Sequence, residues 1–254
     1  HSLMAAQGDH LACGMQYRHK ITHLGLRHLG ADQVSEMHKN VEPEQFTPVL
    51  NDCCEALVDI STSFNCAQAY FDAGWQHSMK QTYLRSGTAQ RLHNVNESLP
   101  EGFSIFVFDG WRPLTLQSEL FEAAYGDANL PAGFLAEPSE ETTLPSPHVS
   151  GGTVDLTLSY RGFPLALGTS FDNFDERAAI MAFEQVDSII RRLRRLMYSS
   201  MRRQEFIVYS GEWWHFEYGT PRWAAITGRP GCYQIAEFPQ VRSDPDQGRR
   251  GDSP

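Results

Sequence analysis

The chain has 254 residues, 41% of them hydrophobic and 20% charged, and a formal net charge of -10. These values fit a folded globular protein large enough for a sizeable core. They argue against a general nucleic-acid binder, which needs a basic surface, and no apolar run approaches the ~18 residues of a membrane span.

Residues 1–50 are polar and histidine-rich and predict an extension, helical at most between Ala31 and Lys39. His19 and His23 stand one helical turn apart, but without the Glu of a His-Glu-x-x-His pair they read as a solvated face. The cysteines, Cys13, Cys53, Cys54, Cys66 and Cys232, are irregularly spaced and form no CxxC pair. They read as reduced thiols of a cytoplasmic protein, or of a periplasmic one if an export signal preceded this sequence.

Residues 79–93 predict a helix through Tyr83, Leu84, Ala89 and Leu92. Phe103–Phe108 is β-branched and aromatic at both parities, as in a strand covered on both faces. It runs into Asp109-Gly110-Trp111-Arg112-Pro113, where the proline suits the first position of a helix carrying Leu116, Leu120 and Ala124 and ending at Gly126. In Thr153–Leu158 the apolar residues alternate, so Asp155 should point away from the layer built by Val154, Leu156 and Leu158. A long helix is expected from Asp175 to Met201, with Phe183, Val186, Ile190, Leu193 and Met197 on its apolar stripe. Its Arg191, Arg192, Arg194 and Arg195 read as a solvated basic face. Phe206–Tyr209 and Glu212–Glu217 read as strands around a turn at Ser210-Gly211. From Pro239 almost nothing is apolar, which predicts a disordered tail. The expected organisation is an extension over 1–50, a domain over 51–238 and a tail over 239–254. Strands separated by helices and long loops, without a βαβ rhythm, give the α+β class.

Two segments bring acid, base and ligand chemistry together, Ser146-Pro-His148 through Asp155 and Glu212-Trp-Trp-His215. Two imidazoles and a carboxylate suit Zn²⁺, and three protein ligands leave a fourth tetrahedral position for water, whose pKa falls to about 7 on binding. A carboxylate within reach can take that proton and pass it to a leaving amine, and Glu212 stands three residues before a histidine. In a straight strand these two would face opposite sides, so the turn at Gly211 must carry Glu212 off the strand. Taken alone, His-x6-Asp and Glu-x2-His fit a surface histidine and a solvated aspartate as well as a metal.

Ser146-x-His148-x-x-Gly151-x-x-x-Asp155 with Glu212-x-Trp214-His215 resembles the signature of the VanX-type D-alanyl-D-alanine dipeptidases. Phe108-Asp-Gly-Trp-Arg-Pro113, Gly168 through Arg177, and Tyr83-Leu-Arg with Ala89-Gln-Arg-Leu92 resemble further stretches of that family, in its order, over roughly residues 57–218. The resemblance implies a hedgehog/DD-peptidase-like α+β fold, with a central, mostly antiparallel sheet flanked by helices. It implies hydrolysis of a small dipeptide, D-Ala-D-Ala or a related one, with one Zn²⁺ per chain and neither nucleic acid nor membrane as a partner. By it His148, Asp155 and His215 are the zinc ligands, Glu212 the base, and Arg112 the cation that stabilises the oxyanion. Asp172 is implied at the substrate's ammonium. Ser146 belongs to the same substrate set or orients the loop bearing His148; no Gly-x-Ser-x-Gly elbow makes it a nucleophile.

The plain structural readings are a salt bridge to Asp109 for Arg112 and a helix cap for Asp172. The chain also departs from the family. Thr153 stands for a usual Ala, Ser150 for an Arg of VanX, and Ser61-Thr-Ser-Phe-Asn65 for a Tyr-Ala-Thr stretch near the amine pocket, so that tyrosine is missing. A peptidoglycan carboxypeptidase or endopeptidase of the same fold and a non-catalytic zinc-stabilised binding module are the competing functions.

Overall fold

The computed structural model describes Met37 and residues 41–67, 69–126, 135–173 and 175–238. The expected helix at Ala31–Lys39, apart from Met37, the His19/His23 pair and the tail from Pro239 lie outside the described residues. In chain order the elements are β1 (Leu57–Asp59), β2 (Asn65–Cys66), α1 (Ala69–Asp72), β3 (Tyr83–Arg85), α2 (Ser86–Ser98), β4 (Phe103–Asp109) and α3 (Leu114–Gly126). Then come β5 (Thr153–Tyr160), β6 (Phe163–Pro164), α4 (Ile189–Arg203), β7 (Ile207–Val208), β8 (His215–Glu217) and α5 (Pro221–Thr227). Short 3-10 helices lie at Pro147–Ser150 and Glu176–Ala178.

The main sheet runs β2-β4-β5-β8-β7, with β6 paired to β5, while β1 and β3 form a separate ribbon. Among the described residues only β2 and β4 pair in parallel. The mixed helices and mostly antiparallel sheet make the fold α+β. Ile105, Val107, Val154, Leu156, Leu158 and Phe216 share one face, because residues directly opposite in an antiparallel pair point the same way. They join Leu92 and Val95 of α2 and Leu193 and Met197 of α4 in one buried cluster. Burying each such aliphatic side chain stabilises the fold by about 1.5–3 kcal/mol. The other face of β5 and β8 presents Asp155, His215 and Glu217.

A β-bulge decides which face Asp109 joins. Val107 pairs with Leu156, yet Asp109 pairs with Asp155, so two residues of β4 advance against one of β5. The extra residue, Phe108, reverses the alternation and turns Asp109 from the core side to the side of Asp155. The faces of β4 are also unequal: Ile105 and Val107 are fully buried, while Phe103, Phe106 and Phe108 are half-buried.

Two expected helices are shorter than their apolar spacing suggested. Tyr83–Arg85 is a strand, because Leu57–Asp59 offers it a ladder, and the helix begins at Ser86. The Glu55 carboxylate accepts the Gly87 N–H at 2.6 Å, meeting one of the helix's open donors from outside. The expected Asp175–Met201 helix starts only at Ile189, where the Ser188 side chain caps it by accepting the Arg191 N–H. Phe183 and Val186 therefore belong to turns.

The solvated arginine face is corrected as well. Arg194 is 0% exposed. It lies on the same side of α4 as Leu193 and Met197, and its guanidinium donates to the carbonyls of Leu167, Arg177, Ala179 and Ile180. Arg191 pairs with Asp187, and Arg195 with Glu184.

Candidate metal centre and active site

The loop before β5 presents the first histidine. The Pro147–Ser150 turn ends at Gly151 with φ 75°, a left-handed conformation that glycine adopts without penalty. His148 Nδ1 lies 2.7 Å from the carbonyl of Gly110, which fixes the ring and leaves Nε2 facing Asp155 Oδ2 at 3.3 Å. Asp155 comes from β5, as its alternation predicted. His215, its direct partner on β8, turns Nδ1 to Asp155 Oδ1 at 3.1 Å. Close pairing at this end of the sheet requires Gly152: a Cβ there would lie 2.4 Å from the Tyr218 carbonyl oxygen.

The ligand atoms of His148, Asp155 and His215 lie within 4.8 Å of one another, and all three residues are buried. Asp155 Oδ1 is buried, and its near neighbour, His215 Nδ1, stands at 3.1 Å outside hydrogen-bond geometry. Such an oxygen is costly unless a cation or donor meets it, so the donor set fits a small divalent metal. The other ring nitrogen of His215, Nε2, lies 2.9 Å from Glu217 Oε1, a carboxylate–histidine pair of the kind that orients metal ligands. Glu217 is itself held by Thr220 and Arg222. Burial opposes its charge, but Arg222 and His215 bring its pKa down to about 2.

The turn meets the geometric demand on Glu212. Its N–H donates to the Tyr209 carbonyl, and β8 begins only at His215. Glu212 Oε2 thereby comes 3.6 Å from His215 Nδ1. Burial raises the pKa of this carboxyl to about 7.

Arg112 follows the end of β4 and is 3% exposed. It does make the salt bridge to Asp109, Nε to Oδ2 at 2.5 Å, while Nη1 donates to Gln117. Nη2 remains toward the site, 3.6 Å from Asp155 Oδ2 and donating to the Tyr70 hydroxyl at 3.2 Å. That hydroxyl in turn donates to Asp172 Oδ2 at 3.0 Å. Asp172 is not a helix cap: Asp175 and Ser188 take those positions. It adopts φ 53°, a left-handed conformation in which Asp is among the best-tolerated residues. Burial and the Asp155 charge raise its pKa to about 8. Phe171 stacks on Phe108, with Trp214 edge-on to it.

The structure thus brings together His148, Asp155, His215, Glu212, Arg112 and Asp172. Ser146 is directed elsewhere, its hydroxyl donating to the Glu137 carbonyl at 2.7 Å and anchoring the loop. Two contributors, Glu217 and Tyr70, went unread in the sequence. Glu217 was legible, since strand alternation puts it on the face of His215. Asp109 was named as the partner of Arg112, but its place on the face of Asp155 required knowledge of the bulge. Tyr70 lies 102 residues from Asp172 in sequence and gave no local signal.

Comparison with known proteins identifies a family. A family model described as D-ala-D-ala dipeptidase, Peptidase_M15, matches residues 80–227. A D-alanyl-D-alanine dipeptidase of Synechocystis sp. is 24% identical over 213 residues, covering 69% of this chain and 86% of that protein. A D-alanyl-D-alanine dipeptidase of Escherichia coli is 30% identical over 117 residues, 46% of this chain and 55% of that protein. The family match contains Arg112, His148, Asp155, Asp172, Glu212 and His215. The chain belongs to the D-Ala-D-Ala dipeptidase family of peptidases, and so to the dipeptide hydrolases.

Proposed function

We propose that this chain hydrolyses a small dipeptide with a free amino terminus, D-Ala-D-Ala or a related D-residue dipeptide, using one zinc ion held by His148, Asp155 and His215. The buried donor set with its unbonded Asp155 oxygen, next to Glu212, carries this reading. Zinc bound there would supply a Lewis acid that polarises the scissile carbonyl and acidifies water. Glu212 takes the proton of the attacking water at its carboxylate and returns it to the departing amine. Arg112, already charged and fixed by Asp109 and Gln117, stabilises the developing oxyanion without reorganising. Asp172 and Tyr70 receive the substrate ammonium, a cation that restores the charge which burial disfavours at Asp172.

Burial supports a dipeptide over a long peptidoglycan strand, since Arg112, His148, Asp155 and His215 are all below one-tenth exposed. An endopeptidase would need an open cleft. Zinc-replete protein offered D-Ala-D-Ala and a panel of L,L, L,D and D,D dipeptides is expected to release amine from at least one D-residue dipeptide at one zinc per chain. No release from any of them sinks the reading.

Tyr70 gives a sharper test of the ammonium pocket. Its hydroxyl bridges a cation and an acid, and hydrogen bonds to charged groups are each worth about 1.5–3 kcal/mol. Tyr70→Phe should therefore raise KM roughly ten- to a hundredfold with zinc content unchanged. A wild-type KM in steady-state kinetics would remove Tyr70 from the pocket.

A further inference from the structure

The segment before the family match, which begins at residue 80, reaches the supports of two site residues. Both contacts leave from Glu42. Its Oε1 accepts the N–H of Ser210 at 2.9 Å, in the turn that carries Glu212 two residues later. Its Oε2 lies 3.7 Å from Nε of Arg222. That Nε is buried and makes no hydrogen bond, so the Glu42 carboxylate is a charge set against it. Arg222 Nη1 donates to Glu217 Oε1 at 2.9 Å, the same oxygen that faces His215 Nε2. The guanidinium lies over the Phe46 and Tyr209 rings, 5.0 and 4.3 Å from their centroids. Backbone bonds from Thr47 to Pro221 and from Val49 to Thr143 anchor the segment, and Val49 is 1% exposed.

We infer that residues 42–46 are a positioning element of the active site. Glu42 fixes the turn that aims Glu212 and, through Arg222 and Glu217, the orientation of His215. The inference rests on the proposed roles of Glu212 as base and His215 as ligand. A chain segment that only covered a surface would touch neither support. Here one carboxylate meets both: Ser210 lies two residues before Glu212, and Arg222 reaches His215 through Glu217. Losing partners beyond the direct ligands of a metal typically weakens metal affinity or activity 10–100-fold.

The test uses the full chain and three readouts: zinc affinity by competition with a chelating indicator, kcat and KM on a dipeptide that the wild type cleaves, and the thermal midpoint. Glu42→Ala and Arg222→Lys should each lower kcat and zinc affinity about tenfold, with KM within about twofold. Glu42→Gln keeps an acceptor for Ser210 but loses the charge toward Arg222, so it should fall between Glu42→Ala and wild type. Leu50→Ala, in the same segment but 78% exposed, should match wild type throughout. If Glu42→Ala does not fold, Glu42→Gln and Arg222→Lys decide the outcome. A zinc-binding, active wild type whose Glu42 and Arg222 variants keep kcat and zinc affinity, or lose only thermal stability, overturns this inference alone. A wild type that binds no zinc and cleaves no dipeptide overturns the underlying reading, and this inference with it.

Discussion

Glu212→Ala is expected to leave zinc content at the wild-type level while lowering kcat by about 10²–10⁴, the usual worth of a placed acid–base group. The two effects separate because Glu212 approaches His215 from outside the set formed by His148, Asp155 and His215. Removing its carboxylate also removes a charge set against the ligand shell, so zinc affinity should change far less than turnover does. Metal analysis and turnover on one protein sample check both halves. A zinc-free Glu212→Ala protein would make Glu212 a ligand instead of the base. Turnover at the wild-type rate would move the base elsewhere, and among the described residues no other carboxylate stands so close to His215 without being a proposed ligand or its Glu217 partner.

Arg194→Met should produce the largest loss of stability in the chain. The side chain is wholly buried and its donors meet four carbonyls, those of Leu167, Arg177, Ala179 and Ile180. Methionine fills a similar volume but removes the donor of the Leu167, Arg177 and Ile180 carbonyls, while Ala179 keeps the Ala182 N–H, at about 1–3 kcal/mol for each buried group left unsatisfied. Allowing for partial relaxation, a total of about 3–5 kcal/mol would lower the melting midpoint by roughly 6–20 °C. Arg194→Lys should recover little, because an ammonium cannot reproduce the planar spread of five donors. The same segment carries Asp172, and it pairs with the Glu212 turn through Trp213 N–H to Ala178 and Ile180 N–H to Ser210. Activity measured well below the new midpoint should therefore fall as well. A calorimetric midpoint within about 2 °C of wild type would show that water replaces the guanidinium at no cost.

Much of this candidate site is legible in the sequence, because its proposed ligands ride on short-range patterns. Strand alternation alone aimed Asp155, and the proline after Arg112 marked where β4 gives way to α3. What escaped depended on distant partners. Tyr83–Arg85 looked helical until Leu57–Asp59 paired with it, since a ladder with a remote strand outweighs weak local preference. Phe183 and Val186 sat at helical spacing, but Ser188 was the stronger start signal, with its side chain bonded to the Arg191 N–H. Arg194 looked solvated because charge usually marks a surface, and only its four carbonyl partners show why it is inside. Tyr70 escaped for the same reason, since only the fold delivers it from α1 to Arg112 and Asp172.

The single extra residue at Phe108 acts on β4 as a change of reading frame acts on a message. Up to Val107, odd positions address the hydrophobic layer; beyond the bulge, the next odd position addresses the metal-side face. Reading a related chain by strict alternation alone would put its acid on the wrong side wherever this bulge is kept. Continuing the strand past Val107 in strict alternation, without the bulge, would instead aim the Asp109 carboxylate into the aliphatic layer around Val154 and Leu156 and strip Arg112 of its closest anion. A two-for-one step in the pairing therefore decides whether the strand ends at the site or in a buried, unpaired charge.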